Sequence, residues 1–356
     1  MDTNRKTVVD EIPGWLRIFN DGTVDRTWTG PPELGFLMSP VPPHEDFIDG
    51  VAVLDQTINP NTGLAVRIYF PEPPPPPQQS KDEEVYPTTK LPIILHFHGG
   101  GFCISQPDWY MYYHFYTRLA RSAQAVCVSV YLRRAPEHPL PAAEDDAYAA
   151  LLWLRDIARG EGDNDLSSGH QWLTMHGDFG RVFLVGDSTG GNLVHQVAAK
   201  AGGEEEEDVV KKVVVAGGVA IHPGFLREVP SKSFMELPDN PLLTREMVNK
   251  FLSFALPAGS TKDHPITCPM GPQAPPLVSL RMPPMLVVVA EMDLLRDSEL
   301  EYCEEMRKAG KEVKVLMNQG MGHSFYFNKM GLDMDPEAAA QADKIIEEIT
   351  KFIHAT

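Results

Sequence analysis

The stretch RVFLVGDSTGGNLVHQVAAKA, residues 181–201, decides the fold of this chain. An apolar run, RVFLV, leads into GDSTG (186–190), and an amphipathic run, NLVHQVAAKA, follows. The pattern predicts a strand, a sharp turn of the form G-x-S-x-G, and a helix. Such a turn holds its serine hydroxyl exposed above the sheet, at a helix N-terminus whose dipole favours developing negative charge. We therefore expect Ser188 to be a nucleophile.

The alternation of strand and helix continues outward from this stretch in both directions. Apolar runs typical of buried strands stand at GVAVLDQTI (50–58), LAVRIYF (64–70), LPIILHFH (91–98), VCVSVYL (126–132), VVVAGGVAIHP (213–223), MLVVVAEMD (285–293) and EVKVLMN (312–318). Helical spacing separates most of them, at 111–124, 142–158, 192–201, 298–310 and 336–353. Continuous apolar strands alternating with helices predict an α/β fold, in which helices flank a mostly parallel central sheet.

Two segments interrupt the alternation of strands and helices. Their sequences predict a cover over the sheet. Residues 1–45 are rich in proline, glycine and aromatic residues, which predicts an irregular arm with one short helix near 15–19. Residues 225–280 contain many prolines, no clear strand and one good helical pattern, LTREMVNKFLSFAL (243–256). We expect a single domain over 1–356, with 1–45 and about 225–280 forming a lid over the carboxyl ends of the strands.

Three polar or low-complexity segments are expected at the surface. The consecutive prolines at 73–77 predict a stiff polyproline II spur between two strands. The segment 161–172 predicts a polar loop, and the acidic run at 204–208 predicts a solvated helix end.

A second glycine-rich motif, His98-Gly99-Gly100-Gly101, stands at the end of the strand 91–98. Consecutive glycines leave bare backbone amides facing a cavity, and together with the amide of Thr189 they can donate hydrogen bonds to a tetrahedral oxyanion. A phosphate cradle is disfavoured, because the motif is followed by no Lys-Ser/Thr pair and the chain has no G-x-G-x-x-G. We predict an oxyanion hole formed by Gly99, Gly100, Gly101 and Thr189.

A serine nucleophile needs a general base and a carboxylate that orients the base. After a turn of this type the acid comes next in the chain and the histidine last. Asp293 directly follows the strand MLVVVAE, and sheets of this kind hold their sites at the carboxyl ends of strands. The rival, Asp297, sits beside the next helix start, where capping is the ordinary role. His323, in the loop GMGHSF (320–325), is preferred to His354 in the terminal tail.

The composition excludes several classes of partner. Lys plus Arg number 31 and Asp plus Glu number 49, a formal net charge of −18, so phosphate backbones and anionic lipids repel the chain. We expect neither nucleic acid nor a membrane as a partner. Four cysteines without a CxxC pair, and no His/Asp/Glu cluster of zinc-like spacing, predict no disulfide framework and no metal. Without an apolar leader or a long apolar stretch, we expect a cytoplasmic location.

Five motifs occur together in one order and spacing: HGGGF (98–102), APEHPLPAA (135–143), GDSTGGN (186–192), the loop at Asp293 and GMGHSF (320–325). In this set the chain resembles the plant carboxylesterase group of the hormone-sensitive-lipase-like α/β-hydrolases, over about residues 10–355. The resemblance implies an α/β-hydrolase fold with a helical cap, a triad of Ser188, Asp293 and His323, and no cofactor. It implies a serine carboxylesterase that hydrolyses a small, fairly apolar ester through an acyl-serine intermediate.

The chain departs from that group at three positions, and the group itself leaves alternatives open. Thr189 follows the serine where many relatives have Ala or Ser, and Arg134 precedes APEH where Leu is usual. The third is Met321, in the loop before His323, a position that varies freely among relatives. The group includes hormone receptors without the catalytic histidine, and dehydratases and cyclases that reuse the pocket. His323 disfavours a receptor, and Ser188 disfavours a dehydratase, whose relatives often carry Thr there; a cyclase stays open. The sequence fixes neither the natural substrate nor the oligomeric state.

Overall fold

The structure is a computed structural model that describes residues 6–73, 90–161, 167–203, 213–240 and 242–356. The predicted spur at 73–77, apart from its first residue, and the acidic run at 204–208 lie outside the described residues. The strands are β1 Val8–Ile12, β2 Leu16–Phe19, β3 Val24–Asp25, β4 His44–Ile48, β5 Val51–Asn59, β6 Leu64–Pro71, β7 Leu91–Phe97, β8 Val126–Val130, β9 Gly177–Asp187, β10 Val215–Ile221, β11 Met285–Ala290 and β12 Val313–Asn318. The α-helices are α1 Tyr110–Ala123, α2 Ala142–Arg159, α3 Ser168–His176, α4 Thr189–Gly203, α5 Lys232–Glu236, α6 Arg245–Ala255, α7 Arg296–Lys308, α8 Lys329–Met334 and α9 Pro336–Ala355. Short 3-10 helices lie at Pro32–Met38, Leu277–Ser279 and Phe325–Phe327.

Nine strands form one sheet in the order β12-β11-β10-β9-β7-β8-β6-β5-β4. The pairings from β12 to β8 are all parallel, whereas β8, β6, β5 and β4 pair antiparallel. The predicted α/β architecture with a mostly parallel sheet is therefore confirmed.

Helices cover both faces of this sheet, which is why its strands are apolar throughout rather than alternating. Every residue of β8 and β11 is buried. On one face the core is formed with α1 and α9, and on the other with α2, α4 and α7. Within the described residues, no helix combines the length and apolar character that crossing a membrane requires.

The parallel strands end at one common edge, and this edge collects the loops that carry the predicted site. The loops after β7, β9, β10, β11 and β12 all leave the sheet there. Parallel order thus brings together residues that lie far apart in the chain.

Two local predictions were wrong. Residues 16–19 form strand β2 rather than a helix, within a small antiparallel sheet of order β1-β2-β3. An ion pair of 2.6 Å between Arg17 and Asp25 joins β2 to β3 across this sheet. The predicted polar loop 161–172 contains the first half of α3, because the Ser167 side chain caps the helix by accepting from the His170 amide, and Leu173 is buried.

Candidate active site

Ser188 lies at the tight turn between β9 and α4. Its backbone has φ +49°, a left-handed conformation that is rare for a residue with a side chain. Its amide donates to the carbonyl of Ile221, 2.9 Å away on the neighbouring strand β10. A Cβ atom at Gly190 would lie 1.9 Å from the carbonyl oxygen of Phe97, so only glycine fits there. The packing of the turn against β7 and β10 thus holds the serine in its strained conformation.

A continuous chain of hydrogen bonds joins the three residues of the predicted triad. The Ser188 hydroxyl lies 3.1 Å from His323 Nε2, and His323 Nδ1 lies 2.6 Å from Asp293 Oδ2. Asp293 is fully buried, and its other carboxylate oxygen accepts from the amide of Leu295 at 3.0 Å. With Nδ1 donating to the carboxylate, Nε2 is left to accept the proton of the serine.

The two rival aspartates occupy different environments. Burial alone would raise the pKa of the Asp293 carboxyl, but the His323 imidazole beside it holds that pKa below the ordinary value. Asp297 lies in the first turn of α7 and accepts from the amide of Ser233 at 2.7 Å. Asp297 therefore anchors α5 of the segment 225–280, and it is Asp293 that contacts the imidazole.

His222 is a site residue that the sequence analysis missed. It follows β10 and is fully buried, and its Nδ1 accepts from the amide of Ser324, 3.1 Å away. Burial lowers the pKa of His222 to about 4, so its imidazole is neutral and can accept that bond at neutral pH. The bond fixes the loop next to His323, where Ser324 has φ +55°. The signal was available: His222 stands at a strand end, the criterion that selected Asp293.

His222, Asp293 and His323 also bring potential metal-ligand atoms within 4.8 Å of one another. Spacing along the chain does not reveal such a grouping, because each residue follows a different strand. The hydrogen bond of His323 to Asp293 already uses one ligand atom of each.

The loop 98–105, here called the oxyanion loop, supplies backbone amides beside the serine. Gly100 and Gly101 have φ +93° and +62°, which explains why glycines are required. Within the described chain, the amides of Gly100, Gly101 and Thr189 donate to no protein acceptor, and all three residues line the same cavity as Ser188. These amides meet the requirement for binding a developing oxyanion.

The prediction for Gly99 was wrong. Its amide donates to the Asp187 carboxylate at 3.0 Å, so it is already engaged. Asp187 also binds His96 Nε2 at 3.1 Å and the Tyr112 hydroxyl at 3.2 Å. Asp187 therefore tethers the start of the oxyanion loop to the end of β9.

A cavity of about 110 Å³ opens above these groups, and most of its wall is apolar. The N-terminal arm supplies Trp15, Trp28 and Leu37, and α6 supplies Met247 and Phe251. Among the described residues that line it, Asp187 is acidic, and none is a lysine, an arginine or a glutamate. The cavity therefore favours an uncharged, apolar ligand.

Comparison with known proteins places the chain among α/β-hydrolases. Residues 94–327 match the family described as alpha/beta hydrolase fold. The chain is 32% identical to a probable carboxylesterase of Arabidopsis thaliana, covering 98% of this chain and 92% of that protein. It is also 32% identical to the 2-hydroxyisoflavanone dehydratase of Glycyrrhiza echinata, covering 91% of each. Among solved structures, an esterase of Pyrobaculum calidifontis is similar with a TM-score of 0.64 and 27% identity, covering 85% of this chain and 84% of that one.

Proposed function

The chain belongs to the alpha/beta hydrolase fold family and is a carboxylic ester hydrolase, and we propose that it acts as a serine carboxylesterase through an acyl-serine intermediate. The observation that carries the proposal is the hydrogen-bonded chain from Ser188 through His323 to Asp293, beside three backbone amides that have no acceptor among the described residues.

Each group has a defined role in the proposed reaction. Ser188 Oγ attacks the ester carbonyl while His323 Nε2 takes its proton. The amides of Gly100, Gly101 and Thr189 bind the oxyanion of the tetrahedral intermediate. His323 then protonates the leaving alcohol, and a water molecule activated by the same imidazole releases the acid. Asp293 holds the imidazole in the correct tautomer and stabilises its cation.

The cavity supports a small, fairly apolar ester as the substrate. Its apolar wall disfavours charged acyl and alcohol groups. We propose that the segments 1–45 and 225–280 act as the cap of one domain, since residues of both line the cavity above Ser188.

The direct test is Ser188→Ala assayed with a chromogenic short-chain acyl ester. We expect turnover to disappear, and a fluorophosphonate probe to label the wild-type protein but not the variant. His323→Ala should reduce kcat about 10³-fold or more while binding of a substrate analogue persists. Full activity of Ser188→Ala would refute the proposal.

A dehydration or cyclisation in the same pocket is the alternative, because one relative is a dehydratase. Mass spectrometry of products from plant metabolite pools separates the reactions, since hydrolysis removes an acyl group whereas cyclisation gives an isomer and dehydration loses water. A receptor would bind a ligand without turnover and without covalent labelling of Ser188.

We also propose a cytoplasmic location. All four cysteines are buried and unpaired, as expected of a protein from a reducing compartment. Imaging of a fluorescent fusion in plant cells tests this.

A further inference from the structure

We propose that Arg26, in the N-terminal arm, is a positioning residue that fixes the geometry of the oxyanion loop. The inference rests on the proposed function and extends it: the arm would set the rate of the chemical step as well as cover the cavity. Three groups of contacts carry it, and they concern the side chain of Arg26, the fold of the loop and the loop's other supports.

The guanidinium of Arg26 joins three separate groups outside the arm. Its Nε donates to the carbonyl of Cys103 at 2.6 Å, and its Nη2 donates to the carbonyl of Ala135 at 2.9 Å. Its two terminal nitrogens also bind the Glu137 carboxylate at 2.8 and 2.5 Å. Only 14% of the Arg26 side chain is exposed, against 40% of Glu137, so solvent screens the two bonds to carbonyls less than the ion pair with Glu137.

The carbonyl held by Arg26 belongs to the turn that presents the oxyanion donors. The amides of Cys103 and Ile104 both donate to the carbonyl of Gly100, at 2.9 and 3.0 Å. Residues 100–104 therefore form one closed turn. The Gly101 amide lies in its first peptide, and the Gly100 amide lies in the peptide just before it. A displacement of the Cys103 peptide reorients the Gly100 peptide to which it is bonded.

The body of the protein holds other parts of the loop, and the arm adds one support at Cys103. The Thr189 hydroxyl accepts from the amide of Phe102 at 3.3 Å, and the carbonyl of Phe102 accepts from the amide of Ala135 at 2.9 Å. Arg134 Nη1 also donates to the carbonyl of Ser105 at 3.2 Å. Among the described residues, Arg26 is the donor to the carbonyl of Cys103. Without Arg26 the carbonyls of Cys103 and Ala135 both lose a hydrogen bond.

The chemistry of this contact is specific to arginine. A planar guanidinium carries five N–H donors in a fixed fork, so it can satisfy two carbonyls and a carboxylate at once. The lysine ammonium is a point charge with rotatable donors and does not reproduce that geometry. Arg26→Lys should therefore recover only part of the function that Arg26→Met loses.

A second ion pair that anchors the arm offers a matched control. Lys250, on α6, forms an ion pair with Asp10 on β1 of the arm, and neither residue is among the described residues that line the cavity. Lys250→Met loosens the arm without removing a bond to the loop. The comparison separates a general effect of arm attachment from an effect of Arg26 on the loop.

The experiment compares the wild-type protein, Arg26→Met, Arg26→Lys and Lys250→Met in two assays. The first measures kcat and KM with a chromogenic short-chain ester. The second measures the affinity of an aryl trifluoromethyl ketone, whose hemiketal oxyanion on Ser188 is followed by its ¹⁹F signal. We expect Arg26→Met to lower kcat by about 10- to 100-fold, with KM changed less than about threefold and ketone affinity reduced in parallel with kcat/KM. For Arg26→Lys, kcat and ketone affinity should lie between those of the wild type and of Arg26→Met. For Lys250→Met, both should stay within about twofold of the wild-type values.

Three results would overturn the inference. They are an Arg26→Met protein with wild-type kcat and ketone affinity, an equal loss in Lys250→Met, and a loss confined to KM. If the thermal melting curve shows that Arg26→Met does not fold, the kcat of Arg26→Lys is the deciding measurement. A wild-type kcat in Arg26→Lys would overturn the inference. A wild-type protein that shows neither turnover nor hemiketal would remove the proposed function itself, and this inference with it.

Discussion

Asp293 and Asp297 stand four positions apart, yet only one contacts the imidazole, and this gives the first prediction. Asp293→Asn should lower kcat by about 10³- to 10⁴-fold, because the amide no longer holds the His323 tautomer that can accept the serine proton. Asp297→Asn keeps the triad intact and should change kcat less than about tenfold. Steady-state kinetics of both variants on one ester checks this. Equal losses would mean that the assignment of the acid is wrong.

Glu299 gives a second prediction, about stability. It is fully buried on α7, and among the described residues neither of its carboxyl oxygens has a hydrogen-bond partner. Burial, and then the neighbouring charge of Asp293, raise the pKa of Glu299 well above its ordinary value. In the unfolded chain the group ionises near its ordinary pKa of about 4.3, so it costs stability increasingly as the pH rises above that value.

Glu299→Gln removes this titration, since the amide stays neutral at every pH. We expect the variant to gain stability over wild type as the pH rises from about 4 to 8, and to show its smallest difference at the acid end. Urea unfolding at several pH values measures the difference. A difference in the free energy of unfolding that does not change with pH would contradict the prediction.

The sequence predicts Ser188, Asp293 and His323 because each follows its own strand, and parallel strands bring their carboxyl ends together. It does not predict that Gly99 is engaged, because the acceptor of its amide, Asp187, is a neighbour only in the folded sheet. The position of His222 at a strand end is visible in the sequence, but its hydrogen bond to the backbone amide of Ser324 is formed only in the folded chain.

At the scale of elements, helix α6 packs directly on the oxyanion loop, and this gives the next prediction. A Cβ atom at Gly101 would lie 2.2 Å from Cγ of Phe251. Gly101→Ala should therefore displace α6 or the loop and lower kcat at least tenfold, about the effect of a misplaced oxyanion donor. Combining it with Phe251→Ala should restore part of the loss, because the smaller side chain makes room.

A double-mutant cycle on kcat tests this coupling. The two single variants, the double variant and the wild type are compared on one ester, with thermal melting to confirm that each folds. Strictly additive effects would show that the contact between α6 and the loop does not govern turnover.

The strands of the central sheet can be predicted from the sequence, whereas the strands of the arm cannot. Long apolar strands such as β8 and β11 have a strong signal because both of their faces are buried. Strand β2 is four residues long, and only Leu16 in it is buried, so its pattern does not separate strand from helix. Its pairing with β1 and β3 makes it a strand.

At the scale of the whole molecule, three buried histidines predict how stability depends on pH. Burial lowers the pKa of His98, His195 and His222 to about 4. In the unfolded chain the ordinary histidine pKa is about 6.5. Between these values the unfolded chain binds more protons, so these groups contribute stability above about pH 6.5 that is lost as the pH falls toward 4, by about 1.4 kcal/mol per pH unit for each proton.

Chemical denaturation at pH 7, 6, 5 and 4 measures this slope. His195→Gln should show a shallower loss than wild type in the same window, because it removes one titrating group that lies away from the cavity. An identical slope in the variant would show that His195 does not contribute to the loss of stability at low pH.

Much of the cavity wall comes from the arm and α6, which supply none of the three residues of the triad. Arm and α6 side chains shape the space, while the strand-end loops of Ser188, Asp293 and His323 hold the triad. One substitution in the triad would therefore abolish turnover and leave the wall formed by the arm and α6 unchanged. A variant that lost one triad residue would still bind its small molecule selectively but would no longer hydrolyse it. Such a protein would act as a sensor of that molecule rather than as an enzyme.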